Sequence, residues 1–517
     1  EECKNYTPEK SSKITGVNAE VIRKTARIFA DAQPGMIYAG YAACKWLHGD
    51  LLQRAMLLML ALTGSTGKEG GGLQVANAPV ARGMNQFGFS DVGPALRLIS
   101  ATTWDYDHAD MKDLNERMYG KQLADNFDKH YKKSIEEDWF PDYSKSGWKM
   151  GIFAGNNGAN WRATGSFWRK TAFDELETIV SLTPDMGVTS MHSDYVLPIA
   201  HHYERDDLML QSRVPYLQVL NEAVPPLGES VDDWEANRRL AEAISKRAVA
   251  RGIKPIMDAV DGRSVRRDYT KTLELFTMGG RINNSKDVAQ FIINTSHGLP
   301  KITFEELSEK GIVKVEGVDN TSWDNEESPY HTEVVRSVRE KKPYETFTGR
   351  QQFYIDHEWF IEFGETLPTY KEALSLKGYP MRMMMGHARH GIHSTWRDES
   401  FLLSLQRGEP DIYVNPDDAE ERDVIDGDMV RIYNSAGEFS AMAHVSSGIQ
   451  PGMLFMYHGW DPKMFKDQKN FGEVIPTGGL IKPTSMAGDY GHLGYQPLAY
   501  APNQTYKDFT CDFEKSA

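Results

Sequence analysis

Met381-Arg382-Met383-Met384-Met385-Gly386-His387-Ala388-Arg389-His390-Gly391-Ile392-His393-Ser394-Thr395-Trp396-Arg397-Asp398 joins a short apolar run to a loop of three His, two Arg, two hydroxyls and a Trp. A simple turn would be built from Gly, Pro, Asn and Asp. This loop concentrates imidazoles and planar cationic donors, the composition of a cradle for a large, anionic, hydrogen-bonding ligand. Downstream the chain reads as β structure. Residues 412–414 and 429–433 are strands, separated by the turn Asp426-Gly427-Asp428, where Gly takes a conformation that a Cβ resists. Asn434-Ser435-Ala436-Gly437 is a hairpin loop, and Phe439, Ala441, Ala443 and Val445 alternate with polar neighbours on the return strand. Gln450-Pro451-Gly452 then turns the chain into a strand at 453–457. The pattern predicts an all-β barrel of about 135 residues.

Taken in order, these pieces resemble the C-terminal domain of molybdopterin oxidoreductases of the dimethyl sulfoxide reductase family. The resemblance rests on the strand and its His-Ser-Thr loop, Ser404-Leu405-Gln406-Arg407-Gly408, Asn415-Pro416-Asp417-Asp418-Ala419, Asp426-Gly427-Asp428, Pro451-Gly452, His458-Gly459-Trp460 and Lys482-Pro483. It implies that His387, Arg389, His393, Ser394, Thr395 and Trp396 cradle the cofactor, with Lys482 and His492 reaching it from the far side of the barrel. Arginines such as Arg389 and Arg397 suit pyrophosphate and pterin edges, because the guanidinium is planar and permanently charged. A zinc site formed by His387, His390 and His393, spaced by threes, is the rival. Against it, no HExxH-type base accompanies them, and two arginines in the same loop would repel a dication.

Upstream the pattern changes to α/β. A strand at 149–154 ends in Gly155-Asn156-Asn157-Gly158-Ala159-Asn160-Trp161, at the carboxyl end where open α/β sheets bind ligands. Small residues let backbone approach a phosphate or purine, and Asn offers both donors and acceptors; a plain structural turn fits the motif equally. The next strand, 178–182, delivers Asp185, followed by Thr189-Ser190-Met191-His192-Ser193-Asp194 and Glu204. Read locally, Asp185 caps a strand end and Glu204 is a surface charge. The resemblance implies instead a guanosine-binding segment, in which a carboxylate accepts from the paired donors of guanine, so that Gly155, Asn156, Asn157, Asp185 and Glu204 join the cofactor set.

Toward the N-terminus, residues 6–16 lead into a helix capped at Asn18, then a strand at 36–39, a loop, and an apolar helix with Asp50 as N-cap, ending at Gly64. The apolar run 51–62 contains Gln53 and Arg54 and falls short of the roughly 20 residues that cross a bilayer, so it reads as a buried helix. Between strand and helix lies Cys44-Lys45-Trp46-Leu47-His48-Gly49-Asp50. A Lys in a partly desolvated funnel can hold an anionic oxygen beside a Trp wall, or it can snorkel to solvent while Trp46 and His48 pack. In relatives such as ethylbenzene dehydrogenase a Lys of this neighbourhood faces the active site; on that resemblance Lys45, Trp46 and His48 are the candidate catalytic residues. Cys44 reads as a small buried hydrophobe. Further on, Ser230 is expected to cap a helix with Asp233 completing a capping box, and Trp234, Ala241, Ile244 and Ala248 share one face. The stretch 252–342 reads as a charged surface excursion or subunit contact.

The chain has 517 residues, enough for more than one domain, and 58 Lys plus Arg against 73 Asp plus Glu give a net charge of -15, which argues against a nucleic-acid partner. Cys3, Cys44 and Cys511 are too few and too scattered for a disulfide framework or a metal quartet. No initiating Met, signal segment or twin-arginine start is present. The expected organisation is an α/β portion at 1–342, an open mostly parallel sheet with flanking helices lacking its N-terminal part, a connecting segment at 343–380, and a C-terminal β-barrel at 381–517. The resemblance is to the type II branch and implies the C-terminal half of a catalytic subunit. Its cofactor would be molybdenum with two molybdopterin guanine dinucleotides, the metal's protein ligand and an iron-sulfur cluster lying upstream. The chemistry implied passes an oxygen atom or hydroxyl between molybdenum and a small-molecule substrate, with electrons moving through iron-sulfur clusters. The Lys45-Trp46 pair and the segment 221–229 favour oxidation or hydroxylation of a reduced substrate of hydrocarbon, steroid side-chain or dimethyl sulfide type. Oxyanion chemistry on nitrate, nitrite, selenate, chlorate or perchlorate is the alternative, and a noncatalytic scaffold half is a reading of another class. The implied partners are an iron-sulfur beta subunit and a haem b gamma subunit, with no membrane span in this chain and a periplasmic, alternatively cytoplasmic, location.

Overall fold

The computed structural model describes residues 2–74, 112–136, 149–161, 169–315, 337–475 and 509–516, apart from short gaps at 41–45, 47, 69, 114–115, 118–119, 171–172, 211–215, 261–262, 297–298, 339, 345–347, 357, 363, 374, 396, 398 and 406–408. The N-terminal piece packs helix Pro8–Thr15 beside helix Ala19–Asp31, the latter capped by the Asn18 side chain as its sequence predicts. Strand β1 (Met36–Tyr38) pairs in parallel with β2 (Gly72–Gln74), and helix Gly49–Leu62 lies between them in sequence. The helix begins two residues earlier than expected. His48 is its N-cap and makes no side-chain capping bond, while Asp50 sits in the first turn, where its charge still complements the helix dipole. The expectation of a buried helix holds only in part: Leu51 and Leu60 are buried, whereas Leu52, Leu57, Met59 and Leu62 are exposed.

The central layer is a parallel sheet of β3 (Met150–Ala154), β4 (Thr178–Thr183) and β5 (Tyr195–Pro198), in the order β3-β4-β5. Because all three strands run the same way, the loops 155–161, 184–191 and 199–204 leave one edge together. Ala159, Phe173, Leu176, Ile179 and Val188 form a small core behind that edge.

Beyond it, β6 (Asp207–Leu210) and β7 (Tyr216–Leu220) are antiparallel, and β8 (Ile256–Val260) and β9 (Arg263–Arg267) form a hairpin. Helix Asp233–Ala250 is capped by Asp232, two residues after the Ser230 expected there, because the Asp232 carboxylate reaches the Glu235 N–H. The stretch read as a surface excursion contains a packed unit: β10 (Ile312–Lys314) adds to β7, and Leu217, Ile293, Leu299, Ile302, Leu307 and Val315 form its core.

The C-terminal part is a closed barrel of β11 (Met381–Gly386), β12 (Asp411–Val414), β13 (Met429–Tyr433), β14 (Glu438–Val445), β15 (Met453–Tyr457) and β16 (Thr510–Lys515), ordered β11-β15-β12-β14-β13-β16. Its interior follows the two-residue alternation: Met383, Ile412, Val414, Val430, Ile432, Phe439, Leu454 and Met456 are fully buried. Each such side chain contributes about 1.5–3 kcal/mol of burial. The register that matters for function is β11 against β15, parallel, with Gly386 opposite Tyr457, so the chain leaves both strands at one end of the barrel. No helix among the described residues is long and apolar enough to cross a membrane.

Candidate functional site

Asn157 is the hinge point of the sheet edge. Its side-chain carbonyl accepts from the Thr189 backbone N–H at 3.0 Å and from the Thr189 hydroxyl at 3.1 Å, tying the loop after β3 to the loop after β4. Gly187 permits this approach, since a Cβ there would stand 2.9 Å from the Asn157 amide nitrogen. Asp185, on the same loop, takes a 3.0 Å bond from the Thr183 hydroxyl, and its carbonyl accepts from Ser190 at 3.4 Å. At the apex Gly155 has φ +57, with nothing within 4 Å of where a Cβ would stand, and Asn156 is exposed. The Gly155 backbone is thus open to approach at the carboxyl edge of the sheet.

From the other side come the barrel loops. His387 follows β11 and His458 follows β15, and because those strands are parallel neighbours in register the two rings meet, 4.5 Å between centroids. His393 completes the group at 4.7 Å from His387, and its Nδ1 lies 3.0 Å from Nε2 of His458. His393 itself has φ +53, a left-handed conformation uncommon outside Gly and concentrated at functional loops. Gly459 packs directly beneath it: at φ +99, an added Cβ would fall 1.8 Å from the His393 carbonyl oxygen.

The two halves of the site are bonded to one another. The Asn157 amide donates to the Ser394 hydroxyl at 3.1 Å. Behind that contact runs a buried polar seam, in which Asn160 donates to Asp461 at 2.7 Å and Asn470 donates to the Asn160 side chain at 2.6 Å. Arg169 pairs with Glu473 at 3.2 Å, both nearly buried, and donates to the Ala159 carbonyl at 2.7 Å. Burial pushes the Arg169 guanidinium below its ordinary range while Glu473 opposes the shift. The seam therefore holds the sheet edge and the His loops against one another.

The other nominated residues have contacts of their own. Arg397, expected to face a ligand, is 1 % exposed; it stacks 4.4 Å from the Trp460 ring and donates to the His458 carbonyl at 2.6 Å. Its task is to hold the His458 turn, while Arg389 stays exposed. Glu204 spends its carboxylate on the capping box of its own turn, accepting from the His201 N–H at 2.8 Å. Thr395 is exposed, and its backbone donates to Ile392 at 3.0 Å. His390 is exposed and outside the His cluster, whose third member is His458. Trp46 and His48 are half-buried; Lys45, Trp396, Lys482 and His492 lie outside the described residues. Sequence reasoning missed His458, Asn160, Asp461, Arg169 and Glu473 as parts of the site. The available signal was His458-Gly459-Trp460 following a strand, the same syntax as Gly386-His387.

The ring nitrogens of His387, His393 and His458 lie within 4.8 Å of one another. Three ligands on one tetrahedral zinc require separations of about 3.4 Å, and a direct imidazole hydrogen bond such as the His393 to His458 contact competes with metal binding. The donor set fits an extended anionic, heteroaromatic ligand better: the imidazoles, the Ser394 hydroxyl and the exposed Arg389 belong to the barrel's loops, and Ser394 is bonded to Asn157 of the sheet edge.

Comparison with known proteins gives this site its family. Residues 6–243 match the family model described as molybdopterin oxidoreductase, and residues 381–490 match the molydopterin dinucleotide binding domain. The chain is 33% identical over 550 residues to the respiratory nitrate reductase subunit alpha of Haloferax mediterranei, covering 100% of this chain and 54% of the relative. It is 33% identical to the perchlorate reductase subunit alpha of Dechloromonas aromatica (98% of this chain, 54% of the relative) and 30% identical to the dimethylsulfide dehydrogenase subunit alpha of Rhodovulum sulfidophilum (99% and 57%). It thus spans little more than half the length of these relatives. Among solved structures, acetylene hydratase from Pelobacter acetylenicus shares the fold, with TM-score 0.60 at 16% identity over 99% of this chain and 65% of that one. With a barrel matching the dinucleotide-binding domain and an α/β part matching the oxidoreductase domain, the chain belongs to the molybdopterin oxidoreductases of the dimethyl sulfoxide reductase family.

Proposed function

We propose that this chain forms the cofactor-clasping part of a molybdenum oxidoreductase catalytic subunit acting on a small oxyanion. The observation that carries the reading is the Asn157 to Ser394 bond, which joins the ligand-binding edge of the parallel sheet to the His loop of the barrel. In this reading Gly155, Asn156, Asn157 and Asp185 receive one nucleotide tail, while His387, Arg389, His393 and Ser394, with His458, meet phosphate and pterin atoms; Thr395, Trp396, Lys482 and His492 belong to the same cradle. Bound there, molybdenum on two molybdopterin guanine dinucleotides supplies a two-electron couple at which one oxygen atom is exchanged with substrate. The protein's own contribution is to orient that group, neutralise its phosphates and exclude water from the cleft.

The oxyanion reading takes its support from the nitrate and perchlorate reductase relatives at 33% identity. A second reading, oxidation of a reduced sulfur or hydrocarbon substrate, is favoured by the dimethylsulfide dehydrogenase relative at 30% and by Lys45 beside Trp46. The relatives are named as alpha subunits, which supports work alongside an iron-sulfur beta subunit; a haem b gamma subunit and a periplasmic site are parts of the same proposal. The test is turnover by purified holoenzyme with molybdenum and guanine nucleotide counted per chain. Nitrate, chlorate or perchlorate reduction supports the first reading, and turnover of dimethyl sulfide or a hydrocarbon alone replaces it with the second. Zinc in place of molybdenum would refute both. Asn157→Asp removes the donor to Ser394 and adds negative charge to the cleft, so it should lower molybdenum and nucleotide content together.

A further inference from the structure

Asn160 is 1% exposed and sits in the loop that carries Asn157, whose carbonyl accepts from the Asn160 N–H at 3.0 Å. Its side-chain amide reaches a segment 301 residues away, donating to the Asp461 carboxylate at 2.7 Å. We propose that Asn160 is a positioning residue: from the sheet edge it fixes the turn 458–461, and with that turn the place of the His458 ring against His393. The proposal rests on the functional reading above, in which the His cluster meets the cofactor.

The turn is held residue by residue. His458 donates its N–H to the Gly386 carbonyl at 3.0 Å and accepts from Arg397 at 2.6 Å, Gly459 lies against the His393 carbonyl, and the Trp460 carbonyl accepts from Asn470 at 3.2 Å. All of these partners belong to the part of the chain that matches the dinucleotide-binding domain. Asp461 is fixed from outside it, because Asn160 lies in the part that matches the oxidoreductase domain. Three residues from Asp461, Nε2 of His458 stands 3.0 Å from Nδ1 of His393, a contact that a small shift of the turn would break.

The bond is directional and dry. A carboxylate only accepts, so Asp461, at 4% exposure, requires donors facing it; the Asn160 amide supplies one while its own carbonyl oxygen accepts from Asn470 at 2.6 Å. With Asn470 at 0% exposure, the three side chains bond in a low-dielectric setting where polar partners are costly to mismatch.

The test uses the purified holoenzyme and the rate at which diethylpyrocarbonate modifies His458, read by peptide mass spectrometry against His390, which is exposed and outside the cluster. Asn160→Asp sets a second carboxylate against Asp461 and should raise that rate about fivefold; Asn160→Ala, which removes the donor without adding charge, should raise it to a similar degree. Adding Asp461→Asn to Asn160→Asp reverses the polarity of the pair, again placing a donor opposite an acceptor and leaving Asn470 its oxygen, and should return the rate to within about twofold of the parent. Leu217→Ala opens a core remote from the seam in composition and contacts, so it should lower stability and leave the rate unchanged. A His458 rate indifferent to both Asn160 variants, a reversed pair no better than Asn160→Asp, or an equal rise in Leu217→Ala would overturn the proposal. Molybdenum is counted in every sample, and a rise confined to samples that have lost it would overturn the proposal too, since the ring would then be uncovered rather than displaced. The modification needs no turnover, so a chain that never holds molybdenum would sink the functional reading while leaving this result to be judged alone.

Discussion

Gly459→Ala tests whether the strained His393 loop is held by direct backbone packing. The added Cβ would sit 1.8 Å from the His393 carbonyl oxygen, 2.4 Å from its carbon and 3.1 Å from the Ser394 nitrogen. All three are backbone atoms, so no side-chain rotation relieves the clash. Restoring ordinary contact at about 3.4 Å requires the loop to move by roughly 1.6 Å. The φ of +99 adds the penalty any Cβ meets in that region, about 1–2 kcal/mol, and forced repacking adds about 1–3 kcal/mol, for a total of about 2–5 kcal/mol. Gly452→Ala is the internal control: its φ is +77 and nothing lies within 4 Å, so it should lose only the backbone share, about 1–2 kcal/mol. Urea unfolding followed by tryptophan fluorescence reads the stability, and molybdenum per chain reads the cleft. A displacement of this size in groups that orient a reacting ligand can cost about 100-fold in rate, so activity should fall further than stability suggests. If Gly459→Ala matches Gly452→Ala in unfolding midpoint and retains full molybdenum, the packing of Gly459 under His393 is not what shapes the cleft.

Three further outcomes are expected. Glu473→Ala leaves Arg169 buried without its carboxylate and should destabilise by about 3–5 kcal/mol in urea unfolding, whereas Arg169→Met with Glu473→Leu should recover most of that loss. On helix Asp233–Ala250, Arg238 and then Arg239 hold Glu235 down to about 2 from 4.5, so its contribution is present above the ordinary carboxylate range and is lost as pH falls toward 2. Acid titration by circular dichroism should show that loss, about 0.3–1 kcal/mol for a partly exposed pair, and Glu235→Gln should remove it. Burial pushes the Cys511 thiol far up while Cys3 is exposed, so iodoacetamide at neutral pH should label Cys3 and spare Cys511 until the barrel is unfolded, as read by peptide mass spectrometry.

Much of the barrel was legible in the chain because its signals are local. Alternation along 439–445 and Gly427 in its turn each act within a few residues, and the strand and the turn appear where those patterns place them. The same holds for Asn18 at its helix start. Helix starts with several eligible caps were less legible: Asp232 took the place of Ser230 because only its carboxylate reaches the third-position N–H of that helix.

Composition could nominate His387, His393, Ser394 and Asn157, since imidazoles, hydroxyls and amides after strands carry their chemistry with them. It could not say which of them meet. That His458 rather than His390 joins the cluster follows from the parallel register of β11 on β15; that Arg397 turns inward follows from Trp460; and that Asn157 reaches Ser394 and Glu365 reaches His48 depends on segments 237 and 317 residues apart. Local propensity is written into neighbouring residues, whereas the pairing of distant side chains exists only once strand order and closure of the barrel have brought their backbones together.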